Sequence, residues 1–305
     1  MFLSAGNEIL ADAIGSRLLD GVREPCEITV ADFDDVMFKL IVAAGQENLL
    51  ALHIAMPAAE ALRAIGCEQV VERVYPGMKG APVDGYSFCV CVDADACAEP
   101  GAMLEKLTLL KRHIVGAPFT LAFEALMSDS VANTVTSFAH HKSEMCYVVP
   151  GADPAKPTQY DRVTVVFAID FPEESDKAFA RIIMQQFVET QRKVNNAPPT
   201  VFSEPNKPPK ECEAAGALPT MDGVGFISFT FFKRHVNTPE KLAKVTEMLV
   251  GFRNYMQYHI KASKTALHMR MRKKVNGWLQ VLNRAFMPAE EKEKKTSSGK
   301  TFTRK

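Results

Sequence analysis

The side chains able to do chemistry in this 305-residue chain are few, and their spacing assembles little. Seven cysteines stand at Cys26, Cys67, Cys89, Cys91, Cys97, Cys146 and Cys212. An odd number, with no CxxC pair and no histidine pair nearby, argues against a zinc site and a disulfide framework, so they read as reduced, mostly buried thiols. His140-His141 offers adjacent imidazoles without a third ligand at usable spacing. Asp32, Asp34 and Asp35 lack the glycine and distal glutamate of a calcium loop, so no metal is expected. Gly223-Val224-Gly225 runs into a strand pattern rather than opening a helix, the wrong context for a nucleotide loop. Neither a P-loop nor a nucleophile elbow occurs, and no Cys/His pairing suggests an activated nucleophile. The expectation is a chain that is not an enzyme and uses no cofactor.

What remains is recognition through charge and apolar surface. From Lys261 to Lys305 there are 13 Lys or Arg against 3 Glu, a local charge of +10, which leaves −10 on residues 1–260 because the whole chain is neutral. A basic end of this kind suits an acidic surface: nucleic acid, anionic lipid or an acidic protein filament. Lys261, Lys264, Arg270, Arg272, Lys273 and Lys274 are the candidate cations, although a charged stretch on a long helix is equally compatible with simple solvation. Phe252 and Tyr255, at i and i+3, place two rings side by side with Arg253 and Lys261 near them. Spacing alone leaves open whether these rings anchor a partner or fill a core.

These residues need elements to position them. Apolar periodicity predicts a helix opening around Ile9 to Leu19, strands over Glu27 to Asp34, Val36 to Ala43 and Leu49 to Met56, and a helix from Ala58 to Tyr75. Tyr86 to Val92 alternates as a strand, with Cys89 and Cys91 sharing the face opposite Tyr86, Phe88, Val90 and Val92, so these cysteines look structural. After the boundary near Pro100 the order recurs: a helix over Met103 to Met127, strands at Ala132 to His140, Glu144 to Val149 and Arg162 to Asp170, a helix over Glu174 to Val194, and strands at Thr200 to Ser203 and Gly225 to Lys233. The expected fold is α+β: two similar α/β modules, each of helix, three strands, helix and two strands, over 1–99 and 100–237, then a long helix over 238–287 and a basic flexible tail over 288–305. The longest apolar runs are broken well short of the roughly 20 residues of a membrane span, and the N-terminus lacks a basic signal region, so a cytoplasmic protein is expected.

The last helix carries most of the signal. Thr238 is a good N-cap with Pro239 at the first helical position and Glu240 beside it, and no proline follows before Pro288. Pro239 to Phe286 spans about 72 Å as a helix, longer than the roughly 50 Å across a compact body of this chain length. Leu242, Val245, Leu249, Phe252 and Met256 form an inner stripe, and Ile260, Leu267, Met271, Val275, Trp278, Leu282 and Ala285 continue an apolar seam beyond it. A seam of that reach calls for a partner helix, while Gly251 and Gly277 mark places where the helix would otherwise kink back.

The run Phe252-Arg253-Asn254-Tyr255-Met256-Gln257-Tyr258-His259-Ile260-Lys261-Ala262-Ser263-Lys264, with His268 to Arg272, Leu282 to Ala285 and Gly299 to Phe302, resembles the 34-kDa subunit (subunit 2) family of the actin-related protein 2/3 complex. Asp161 to Phe167 and Ala31 to Asp34 resemble the same family, with Asp35 standing where that family usually has glycine. The resemblance implies a non-catalytic scaffold whose two modules and long helix pair with a 20-kDa subunit. It implies further partners in the two actin-related proteins, other subunits of the complex and the side of an actin filament, on which branches are nucleated. It also implies residence in the actin cytoskeleton. Carried onto this chain, it implies filament binding by Phe252, Tyr255, Arg253, Lys261, Lys264, Arg270, Arg272 and Lys273. The partner-subunit interface falls to Leu267, Met271, Val275, Trp278, Leu282 and Ala285. The alternative, from charge asymmetry alone, is an α/β binder of nucleic acid or anionic lipid using the same basic helix.

Overall fold

The computed structural model describes residues 6–128, 135–141, 144–152, 160–215 and 223–285, with the pairs 294–295 and 301–302. Contacts divide the chain into two units, Met1–Gln257 and Tyr258–Lys305.

The first unit opens with α1 (Glu8–Leu18), whose start is capped by Asn7 Oδ1 accepting from the Leu10 amide at 3.1 Å. Strands β1 (Cys26–Ala31), β2 (Met37–Val42), β3 (Leu49–Ala55) and β4 (Phe88–Asp93) form an antiparallel sheet in that order. Alternation sets the layers here: Phe38, Leu40 and Val42 of β2 are buried while the residues between them are half-buried. Between β3 and β4 lie α2 (Ala59–Ile65) and α3 (Cys67–Val74). The single helix expected over this stretch is broken at Gly66, whose φ of 99° is one that glycine adopts without strain. The second expected helix is likewise divided, into α4 (Pro100–Thr108), α5 (Leu110–Val115) and α6 (Ala117–Met127), the last break falling at Gly116 with Pro118 at the new start.

Strands β5 (Thr136–His141), β6 (Glu144–Ala152), β7 (Tyr160–Ile169), β8 (Thr200–Ser203) and β9 (Gly225–Phe232) make the second antiparallel sheet, ordered β5-β6-β7-β9-β8, with α7 (Glu174–Gln191) between β7 and β8. This module has the expected order of three strands, helix and two strands. The first differs by one strand, because the place of β8 is taken by a single bridge, Lys79 to Val90, against the free edge of β4. With that edge reduced to one bridge, the two sheets share one topology, so the duplication read from the pattern survives with its edge strand shortened. The part of the expected strand over 132–134 lies outside the described residues.

After the short α8 (Lys233–Val236), α9 runs from Pro239 to Ala285 as one helix. Thr238 Oγ1 accepts from the Lys241 amide at 3.2 Å, the expected cap. Its first half belongs to the first unit: Leu249, Phe252 and Met256 are buried there, so the division falls within the helix and not at the expected 237/238 boundary. In the second unit α9 continues, and β10 (Lys294–Lys295) pairs antiparallel with β11 (Thr301–Phe302). The remainder of the 288–305 segment, expected to be a flexible tail, lies outside the described residues.

Candidate functional site

The segment of α9 from Phe252 to Tyr255 divides its residues between core and surface. Phe252 is 4% exposed, with its ring 5.1 Å from Phe229, 5.3 Å from Phe167 and 5.8 Å from Phe187. Tyr255, one turn on, is half-buried with its ring 6.1 Å from Phe187. The expectation that Phe252 meets a filament is corrected here, because its ring closes the aromatic cluster under the second sheet.

Arg253 is corrected for a different reason. Its guanidinium is buried, donates from Nε to Glu144 Oε2 at 2.5 Å and from Nη2 to Glu144 Oε1 at 3.3 Å, and lies 5.6 Å from the Phe171 ring. A fork-on-fork pair of this kind satisfies the arginine within the chain. Burial pushes the Glu144 carboxyl up to about 7 against the opposing pull of Arg253. The Asp170 amide also donates to Glu144 Oε1 at 3.2 Å.

The same turn of α9 holds the β1–β2 connection. Asn254 Nδ2 donates to Asp34 Oδ2 at 3.0 Å, and Lys111 of α5 donates to the Phe33 carbonyl at 2.8 Å while lying 3.3 Å from Asp34 and 3.5 Å from Asp32. Asp34 and Asp35 both take left-handed backbone, with φ of 65° and 57°. Both take a conformation that glycine adopts freely and aspartate tolerates at some cost. Asp32 and Asp34 tie the first sheet to Lys111 of α5 and Asp34 ties it to Asn254 of α9, and among the described residues no group of three His, Cys, Asp or Glu could hold a metal.

Beyond Ile260 the helix changes character. Every side chain from Thr265 to Arg284 is exposed, Trp278 at 75%, and Leu267, Met271, Val275 and Leu282 are each about half exposed. At about 100° per residue Leu267, Met271, Val275, Trp278 and Leu282 fall within an arc of about 80°. On the same reckoning Lys261 and Arg272 flank one side of the stripe and Arg270 and Lys273 the other, all four exposed, while half-buried Lys264 falls within its arc. Ala285 ends the helix, and its side chain lies outside the described residues. The expected seam is thus brought together on one helix face with a cationic margin, whereas the expected filament set is not one surface. Glu144 went unremarked in the sequence because nothing local distinguishes it; only the fold places it under Arg253.

The alternative of a nucleic-acid platform needs aromatics on an open strand face. Phe226, Phe229 and Phe231 of β9 are buried on the two sides of the sheet and Phe232 is half-buried. That face is closed to bases.

Comparison with known proteins adds a family assignment. The family model described as the Arp2/3 complex 34 kD subunit p34-Arc matches residues 52–289. The chain is similar to actin-related protein 2/3 complex subunit 2 of Dictyostelium discoideum, 30% identical over 303 residues and covering 99% of both chains. It is also similar to the protein of that name from Schizosaccharomyces pombe, 32% identical over 324 residues and again 99% of both.

Proposed function

This chain belongs to the p34-Arc family, the 34-kDa subunit of the Arp2/3 complex, and from that premise we propose that it is a non-catalytic scaffold, docked on its partner subunit through α9 and offering basic side chains to the side of an actin filament where the complex nucleates a branch. The observation that carries this reading is the stripe Leu267, Met271, Val275, Trp278 and Leu282, exposed on a helix that nothing among the described residues covers. Covering five such side chains stabilises an assembly by on the order of 5 kcal/mol before ordering costs, enough to make the stripe an obligate seam. The occupant proposed is a helix of the 20-kDa subunit. The two actin-related proteins, other subunits and the filament complete the partners, and the setting is the actin cytoskeleton of the cytoplasm. Among the described residues no helix is long and apolar enough to cross a membrane.

Lys261, Arg270, Arg272 and Lys273, with Lys264 and the partly exposed Tyr255, are the filament candidates that remain once Phe252 and Arg253 are assigned to the core. Cations of this kind steer an acidic filament surface into register and raise the on-rate more than the final affinity. The stripe is tested by Trp278→Asp with Leu282→Asp: co-purification with the 20-kDa subunit is expected to be lost while the thermal transition of the first unit is kept. Retained co-purification would remove the seam. The cations are tested by reversing Lys261, Arg270, Arg272 and Lys273 to Glu, which is expected to abolish pelleting of the assembled complex with actin filaments and leave assembly intact. An unchanged pellet, together with an RNA gel shift that the reversal eliminates, would favour the nucleic-acid alternative.

A further inference from the structure

A dithiol pair lies on the first sheet. Cys89 and Cys91 of β4 share one face, with sulfurs 3.7 Å apart. Cys89 is buried and Cys91 half-buried. His53 of β3 pairs in register with Cys89 and brings its Nε2 to 3.9 Å from the Cys89 sulfur. The Val83 amide donates to His53 Nδ1 at 3.4 Å, which fixes the proton of the neutral ring on Nε2, pointing at Cys89. Above the sulfurs runs the segment that forms the lone bridge: Gly80 N–H donates to the Cys89 carbonyl at 3.0 Å and Cys91 N–H to the Met78 carbonyl at 2.7 Å. A Cβ on Gly80 would fall 2.5 Å from the Cys91 sulfur and 2.8 Å from the Cys89 sulfur, so the space a side chain would fill is taken by the two thiols.

We propose that Cys91 and Cys89 form a peroxide-reactive dithiol, with Cys91 the attacking sulfur and Cys89 the thiol that resolves it. In the first step the Cys91 thiolate attacks one oxygen of hydrogen peroxide. The O–O bond breaks, hydroxide leaves, and the sulfur is oxidised by two electrons to a sulfenic acid. In the second step the Cys89 sulfur attacks the Cys91 sulfur, an S–S bond replaces the S–O bond, and the Cys89 proton leaves with the departing oxygen as water. Hydrogen bonding from Cys89 holds Cys91 down at about 7, while the same contact and burial raise Cys89 above the usual thiol range. The His53 Nε2–H stabilises charge on the Cys89 sulfur during the second step. Among the described residues no group of three His, Cys, Asp or Glu side chains is arranged to hold a metal ion, this one included.

Relative to an ordinary thiol, a thiol at about 7 gains about 15-fold in thiolate at neutral pH and loses about fivefold in intrinsic nucleophilicity, a net advantage of about threefold. Residues two apart on a strand are separated by about 6.8 Å at Cα, the upper end of the disulfide range, so the bridge is strained and readily reduced again.

The experiment treats the assembled complex with hydrogen peroxide at pH 7, blocks remaining thiols, and maps peptides by mass. The expected result is loss of two hydrogens on the peptide holding Cys89 and Cys91, reversed by dithiothreitol, at least about threefold faster than oxidation at Cys26 and Cys97, the other half-buried cysteines. In Cys89→Ser the expected product is a dimedone adduct at Cys91 with no bridge. Oxidation of Cys91 no faster than of Cys26 and Cys97 in the unaltered complex would overturn the proposal, as would a folded Cys89→Ser complex that gives no adduct.

Discussion

His140 has both ring nitrogens buried and without a hydrogen-bond partner among the described residues, its ring edge-on to Phe138 and Phe167. Burial pushes it down to about 4, with Lys111, Arg253 and His141 adding to the shift and Asp34 opposing it. An unfolded histidine titrates near about 6.5. The folded value lies below the unfolded one, so the stability this neutral ring permits is whole above about pH 6.5 and is lost as pH falls towards about 4. One proton taken up on unfolding gives a slope of about 1.4 kcal/mol per pH unit. Glu144, raised to about 7, acts in the opposite sense, its contribution fading as pH climbs through that value. Comparing His140→Gln with the unaltered chain isolates the histidine, because Glu144 is common to both: in denaturant melts between pH 4 and 6.5 the difference in unfolding free energy between the two is expected to change by about 1.4 kcal/mol per pH unit, and a pH-independent difference would contradict the assignment. At this scale the sequence was only half legible. An i, i+3 pair such as Phe252 and Tyr255 declares two neighbouring rings but not which one faces the sheet, and Arg253 gives no local sign of a carboxylate 109 positions away.

Among the elements, α9 was the most legible, its cap, start and length all following from Thr238, Pro239 and the lack of proline before Pro288. The helices expected over Ala58 to Tyr75 and Met103 to Met127 were placed correctly but drawn unbroken, because apolar periodicity carries through a break such as Gly66 while the backbone there turns left-handed. The short bridge at Lys79 was read as no element at all, since one residue cannot express a period of two. Helices in proteins are held chiefly by packing of one face, and a stretch of about 20 residues without such packing is marginal in water. In the free chain, amides from Thr265 to Arg284 are therefore expected to exchange hydrogen faster than those from Leu249 to Ile260, and to slow when the 20-kDa subunit is added. Equal protection of the two stretches in the free chain would show that the distal half has some other support.

Across the whole chain, the duplication and the opposed charge of its two ends were both present in the sequence, while the ties that hold the modules were not. Asp34 and Lys111, Asn254 and Arg253, and Glu144 join the β1–β2 connection, α5, α9 and β6, elements scattered over more than half the chain. Removing one member of such a buried pair leaves an uncompensated charge and costs about 3–5 kcal/mol, whereas replacing both by apolar groups of similar size is often neutral. Arg253→Ala is expected to lower the unfolding free energy by that amount, and Arg253→Met with Glu144→Leu to recover most of it in urea melts; equal losses in the single and double variants would deny the coupling. Glu144 and Arg253 are consequently trapped together over descent: a lineage altering either first crosses a fitness valley, so among relatives the two positions should change in concert or not at all.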